Sequence, residues 1–202
     1  MKKPLVGLLF LMVSITGGKY RGLKLHTVPG MNARPTTSIV RKAIFDMVDV
    51  EGKDFLDLFC GSCIVSLEAI SRGAKKVVAV DISTKSTEVC KRNSRKIKES
   101  FEIVRSDARK YLKRCKAQFD VVFMDPPYDM DIIPEVLDLI LKGNILREDG
   151  VIIVEKRKGK EISLPEPLFV YKEKRYGDTK VLILKRKEGE AGTSPYGGCG
   201  RD

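Results

Sequence analysis

From residue 53 onward the chain alternates short β-branched or aromatic runs with amphipathic stretches, and this alternation constrains the fold more than any other feature. The runs lie at 54–59, 76–81, 101–105, 120–125, 151–155 and 179–184, and helical spacing fills 63–72, 84–99, 108–115 and 131–142. Near-continuous apolar strands separated by helices are the pattern of a parallel sheet covered on both faces. The expected fold is therefore a doubly wound α/β sheet. In such a sheet ligands bind at the carboxyl ends of the strands, near the point where strand order reverses.

The first fifty residues have a different character. Residues 1–45 contain no Asp or Glu, while Lys19, Arg21, Lys24, Arg34, Arg41 and Lys42 fall close together. Over the whole chain, 38 Lys and Arg against 27 Asp and Glu leave a net charge of +11. Such an excess favours a polyanionic partner, because cations near phosphates release condensed counterions. Alternation around residues 14–16 and 23–26, separated by glycines, predicts a β-hairpin. Thr36 or Thr37 then caps a helix whose apolar positions are Ile39, Val40, Ala43, Ile44 and Met47.

Both ends stand apart. Lys2 and Lys3 precede an apolar run from 4 to 15 that mimics a secretory leader and is too short for a membrane span. We expect translation to start at Met12, with 1–11 an extension, 12–50 a basic hairpin and helix, 51–187 the main domain and 188–202 a disordered tail. Five cysteines (60, 63, 90, 115 and 199) are an odd number in a chain large enough to fold without staples. The expectation is no disulfide framework, a reducing cytosol and a cytoplasmic protein without a membrane anchor.

Four strand ends carry the chemistry. Asp57-Leu58-Phe59-Cys60-Gly61-Ser62-Cys63 is a strand end, a tight turn and a helix start, where Gly61 and free amides let a ligand approach the backbone. The next strand ends in Asp81, suited to ribose hydroxyls. The third leads into Asp107-Ala108, whose carboxylate suits an adenine amine. Acids also follow strands simply as helix caps, and the series of three is what favours a nucleoside pocket. The fourth strand ends in Asp125-Pro126-Pro127-Tyr128. Proline fixes φ and leaves its neighbours' carbonyls as placed acceptors. Asp125 and such a carbonyl can accept both hydrogens of a planar amine while Tyr128 stacks on its ring.

These motifs resemble the S-adenosylmethionine-dependent methyltransferases that modify exocyclic amines through D/N-P-P-Y/F. Ile15-Thr16-Gly17-Gly18-Lys19-Tyr20-Arg21-Gly22, Arg34-Pro35-Thr36-Thr37, residues 67–74 and Tyr176-Gly177-Asp178-Thr179 are further similar to the RsmD-type family, which methylates guanine N2 in 16S ribosomal RNA. The resemblance spans about residues 12–186. It implies a seven-stranded sheet whose last strand, ending near Leu184, is antiparallel, preceded by a hairpin that helps hold RNA. Asp57, Phe59 and Gly61 would hold the methionine end of S-adenosylmethionine, Asp81 its ribose, and Asp107 and Ala108 its adenine. Asp125, Pro126 and Tyr128 match the target-amine site, Arg34 and Thr36 the pocket mouth, and Lys19 and Arg21 the RNA-holding hairpin. The implied reaction is in-line attack of the amine on the sulfonium methyl, without a metal, by a monomer acting on ribosomal RNA or a small-subunit particle.

One position departs from the family. Its first loop reads G-[S/T]-G, whereas this chain has Gly61-Ser62-Cys63. A cysteine there is strained if the position needs positive φ and harmless if the helix has already begun. Rival readings are amine methylation of DNA adenine or protein glutamine, a thiol redox protein built on the C-x-x-C of Cys60 and Cys63, and a non-enzymatic RNA-binding module. A zinc site needs two more ligands, which His26, Cys90 and Cys115 do not offer at useful spacing.

Overall fold

The computed structural model describes residues 12–28, 37–127, 131–159 and 161–187. The expected leader 1–11, Arg34, Thr36, Tyr128 and the expected tail 188–202 lie outside the described residues.

A two-stranded antiparallel hairpin, β1 (Met12–Ser14) and β2 (Lys24–His26), comes first, followed by α1 (Ser38–Met47). Seven strands then form one sheet: β3 (Asp54–Leu58), β4 (Lys76–Asp81), β5 (Glu102–Arg105), β6 (Phe119–Met124), β7 (Leu146–Arg157), β8 (Leu168–Tyr176) and β9 (Thr179–Arg186). Between them run α2 (Ile64–Ser71), α3 (Thr84–Ser94), α4 (Ala108–Arg114) and α5 (Ile133–Lys142). The spatial order is β5-β4-β3-β6-β7-β9-β8. The strands β3 to β7 pair in parallel, and β9 is antiparallel to both β7 and β8. Chain order thus runs outward from β3 to β5 in one direction and from β6 to β7 in the other, beyond which β9 lies inside β8. The switch point lies between β3 and β6.

Alternate residues of each strand feed two cores, one on each face. Phe55, Val77, Ala79, Val121, Phe123, Ile153 and Ile183 pack with residues of α1, α2 and the hairpin. Leu56, Leu58, Val78, Val80, Val122, Met124, Ile152 and Leu184 pack with α4 and α5. Burial on both faces is what the unbroken apolar runs required.

Thr37 is the N-cap of α1, its side chain accepting from the Val40 amide. Val40 and Ile44 are buried as expected, but Ile39 is 70% exposed, because a helix lying on a core buries only one stripe. The strand β8 was not legible in the sequence. It reads Leu-Phe-Val-Tyr-Lys-Glu-Lys-Arg-Tyr, its centre is exposed, and it holds the sheet edge only through β9. Edge strands carry charge where central strands cannot. Also, β7 begins earlier than residue 151, and α3 ends at Ser94 rather than near 99.

The cysteine expectation is corrected. Cys63 and Cys90 form a disulfide with their Cα atoms 5.1 Å apart. Spacing along the chain concealed this, because 27 residues separate the pair and only the packing of α3 beside the loop brings them together. Cys60 is buried without a disulfide, and its sulfur lies with those of Cys63 and Cys90 inside a 4.8 Å cluster. No helix among the described residues is long and apolar enough to cross a membrane.

Candidate active site

Strand register sets the geometry of the site. Met124 pairs with Leu58, Leu58 with Val80, and Val80 with Val104, so the residues that follow these four emerge along one edge. Asp125, Phe59 and Asp81 therefore stand side by side on three adjacent strands, placing Asp81 and Asp125 about 10 Å apart at ordinary strand spacing.

The loop between β3 and α2 is built from strained backbone. Phe59, Gly61 and Cys63 all have positive φ, at 64°, 54° and 59°. Two of the three are not glycine, and each costs on the order of 1–2 kcal/mol. Such strain persists only where surrounding contacts enforce it, and it concentrates at functional sites. Asp81 supplies one contact: its carboxylate accepts from the Gly61 amide and from the Ser83 amide, both at 2.8 Å. The Cys60 amide donates to the Val80 carbonyl at 3.0 Å. Cys63 is the left-handed N-cap of α2, so of the two cases for that position the positive-φ case holds.

Asp57 is fully buried near the end of β3. One carboxylate oxygen, Oδ2, accepts from the Ser66 amide at 3.1 Å and the Ser66 hydroxyl at 2.5 Å. The other, Oδ1, is buried and accepts no hydrogen bond among the described residues. Burial pushes the Asp57 carboxyl up to about 7, against the opposing pull of the Ser66 hydrogen bonds. Above Gly61 a Cβ would meet nothing within 4 Å. A buried acceptor without a partner among the described residues, two residues before a loop whose glycine faces open space, suits a ligand carrying an ammonium group, as S-adenosylmethionine does.

The other predicted residues are distributed unevenly. Asp107 caps α4, accepting from the Arg109 and Lys110 amides, and it pairs with the Arg109 guanidinium at 3.0 Å. Hydrogen bonding from Arg109 holds its carboxyl below the usual range. The cap alternative weighed for such acids thus applies to Asp107, one strand further out than Asp81. Ala108 begins α4 and is buried. Pro126 is buried next to half-buried Asp125, and Pro127 is exposed.

The hairpin runs along α2. Its turn is fastened near the end of that helix, with the Lys19 amide on the Ser71 carbonyl and the Tyr20 amide on Ser71 Oγ. Its open end sits by the 59–63 loop, where Asn93 donates to both the His26 and Ser62 carbonyls. Eight helical residues span about 12 Å, so Lys19 and Arg21 lie well away from the loop, and Lys19 is ion-paired with Glu99. The sequence reading missed a second basic group: Lys91, Arg92, Arg95, Lys96 and Lys98, in and just after the last turn of α3. Lys96 reaches the Lys24 carbonyl and the Lys98 amide reaches the Tyr20 hydroxyl, joining that group to the hairpin. Five cations in eight residues were the available signal.

The family model described as conserved hypothetical protein 95 matches residues 13–185. The ribosomal RNA small subunit methyltransferase D of Haemophilus influenzae is 33% identical over 172 residues, covering 82% of this chain and 89% of its own. This chain belongs to the RsmD-type methyltransferase family. A solved hypothetical protein of Thermus thermophilus superposes with a TM-score of 0.74 at 30% identity, covering 86% of this chain and 99% of its own. The 16S rRNA N2 G1207 methyltransferase of T. thermophilus, solved with AdoMet and guanosine, superposes with a TM-score of 0.68 at 19% identity, covering 92% of this chain and 52% of its own. That likeness bears on the fold alone. The matched range contains the strained 59–63 loop, Asp81 at the next strand end and Asp125-Pro126-Pro127 at the switch point.

Proposed function

We propose that this protein methylates the exocyclic N2 amine of a guanine in 16S ribosomal RNA, using S-adenosylmethionine, as a cytoplasmic monomer that needs no metal. The observation that carries the reading is the placement of Asp125-Pro126 one strand from the strained 59–63 loop, in a chain of the RsmD-type family. Asp57, Phe59 and Gly61 hold the methionine end of the cofactor, with Asp57 Oδ1 taking the ammonium. Asp81 holds the ribose while it pins the loop, and Asp107 and Ala108 border the adenine. Bound there, the cofactor supplies an electrophilic sulfonium methyl.

A guanine N2 is a weak nucleophile because its lone pair is delocalised into the ring. The protein gains rate by fixing the amine and by accepting its hydrogens, which draws the lone pair out of conjugation. Asp125 is the main acceptor and takes the proton as charge builds on nitrogen. Pro126 holds a carbonyl rigidly beside it. Tyr128 stacks on a base that has left its helix. Arg34 and Thr36 line the mouth, and Lys19 and Arg21, with the cations of 91–98, hold phosphates further out.

The test is transfer of labelled methyl from S-adenosylmethionine to small ribosomal subunits, free ribosomal RNA and duplex DNA from cells lacking the activity, with nucleoside analysis. N2-methylguanosine made by wild type and not by Asp125→Ala is the expected result. Label in adenine or in protein overturns the substrate while keeping the cofactor.

A further inference from the structure

Cys60, Cys63 and Cys90 are used by none of the chemistry above, yet all three are buried and their sulfurs lie within 4.8 Å of one another. Cys63 is the residue with φ 59° at the head of α2, where the family places glycine. Glycine adopts that conformation freely, whereas a cysteine does so only if something holds it. Here a covalent tie to Cys90 of α3 holds it. The third thiol, Cys60, has its sulfur 3.5 Å from that of Cys63.

We propose that the Cys63–Cys90 bridge is an oxidative modification that locks the cofactor loop in its binding conformation, with Cys60 as the thiol through which the bridge is made and broken. The coupling to cofactor rests on reading the 59–63 loop as the S-adenosylmethionine site; the bridge itself does not.

The exchange balances with a small-molecule disulfide, RSSR, as oxidant. Cys60, the least buried of the three at 8% exposure, attacks as thiolate to form Cys60–S–SR and release RS⁻. Cys63 then attacks the Cys60 sulfur, expelling a second RS⁻. Cys90 attacks the Cys63 sulfur and returns Cys60 as thiolate. Two electrons pass to the oxidant, and the protons of Cys63 and Cys90 leave on two RSH. Because burial pushes the Cys60 thiol well up, the thiolate is scarce and exchange is slow. The bridge is accordingly a persistent tie rather than a rapid switch.

The experiment uses the full chain. Free thiols are blocked under oxidising and under reducing conditions, the bridge is mapped by peptide mass analysis, and S-adenosylmethionine affinity is measured by calorimetry in both states. Cys63 and Cys90 are expected as a linked pair in the oxidised protein, and reduction should weaken cofactor binding roughly tenfold, the size of one strained left-handed residue. Cys90→Ser should bind weakly whatever the reductant, Cys63→Gly should bind tightly whatever the reductant, and Cys60→Ser should re-form the bridge more slowly from RSSR. Free Cys63 and Cys90 in the oxidised protein overturn the proposal. So does an affinity equal in both states, or one zinc ion retained per reduced chain by the three thiols in place of a bridge. A mapped bridge with no cofactor binding in either state refutes the cofactor reading of the loop, and with it the coupling.

Discussion

Glu68, fully buried on α2, accepts the Thr16 amide at 2.8 Å and the Thr16 hydroxyl at 2.6 Å, which clamps the basic hairpin to the helix that follows the strained 59–63 loop. The same carboxylate pairs with Arg72 at 3.0 Å and lies 3.7 Å from the guanidinium of buried Arg41, which itself donates to the Ser14 carbonyl. Removing one partner of a buried pair costs about 3–5 kcal/mol, because the charge left behind has lost its compensation. Glu68→Ala should destabilise the protein by that order in denaturant melts and raise hydrogen exchange throughout the hairpin. A loss below about 1 kcal/mol, in the range of an exposed pair, would mean the clamp is not holding the hairpin.

Asp57 makes stability and cofactor affinity respond to pH in opposite directions. Its folded value near 7 lies above the ordinary carboxylate value, so the native state binds the proton more tightly than the unfolded state. The Asp57 contribution to stability of the cofactor-free protein should therefore fall as pH rises from about 4 to about 7 and then level off. An ammonium seated at Oδ1 favours the ionised form, so S-adenosylmethionine should bind several-fold more tightly at pH 7.5 than at pH 5.5. Asp57→Asn should flatten both profiles and weaken cofactor binding. Parallel pH profiles for variant and wild type in melts and calorimetry would contradict this.

Two glycines of the hairpin turn separate backbone strain from steric fit. Gly18 has φ +73°, and a Cβ there would lie 1.9 Å from the Ser71 carbonyl oxygen, whereas Gly22, at φ +86°, has nothing within 4 Å. Gly22→Ala should cost about 1–2 kcal/mol from backbone strain alone. Gly18→Ala should cost clearly more, because the turn must lift from α2. Equal losses in thermal melts would show that the turn is not seated as described.

Salt dependence tests whether the exposed cations of the hairpin and of 91–98 hold phosphates. Arg21 and Lys98 are exposed on the joined basic surface of the hairpin and the segment after α3. Arg21→Ala and Lys98→Ala should each lower the slope of log affinity against log salt by about one for ribosomal RNA. Asp125→Ala should leave that slope unchanged while lowering the rate by about a hundredfold or more. A slope unchanged in both cation variants would move the RNA face elsewhere.

The sheet and the acids at its strand ends were legible in the sequence, because strands buried on both faces must be apolar throughout and the polar residues that end them stand out. Asp57, Asp81 and Asp125 could be located from that punctuation alone. The edge strand β8 could not, since a strand paired on one side has no need of that pattern. Nor could the sequence tell which acids the protein itself satisfies. Asp107 reads like the others, yet caps its own helix, while Asp57 keeps one buried oxygen without a partner among the described residues. That difference depends on which amides the next helix turns toward each carboxylate. Pairings between distant residues belong to tertiary structure for the same reason. Cys63 meets Cys90, Glu68 meets Thr16, and Lys19 meets Glu99 through the packing of α2, α3 and the hairpin on one sheet face. Local pattern encodes which face of an element is buried, and only packing decides what that face touches.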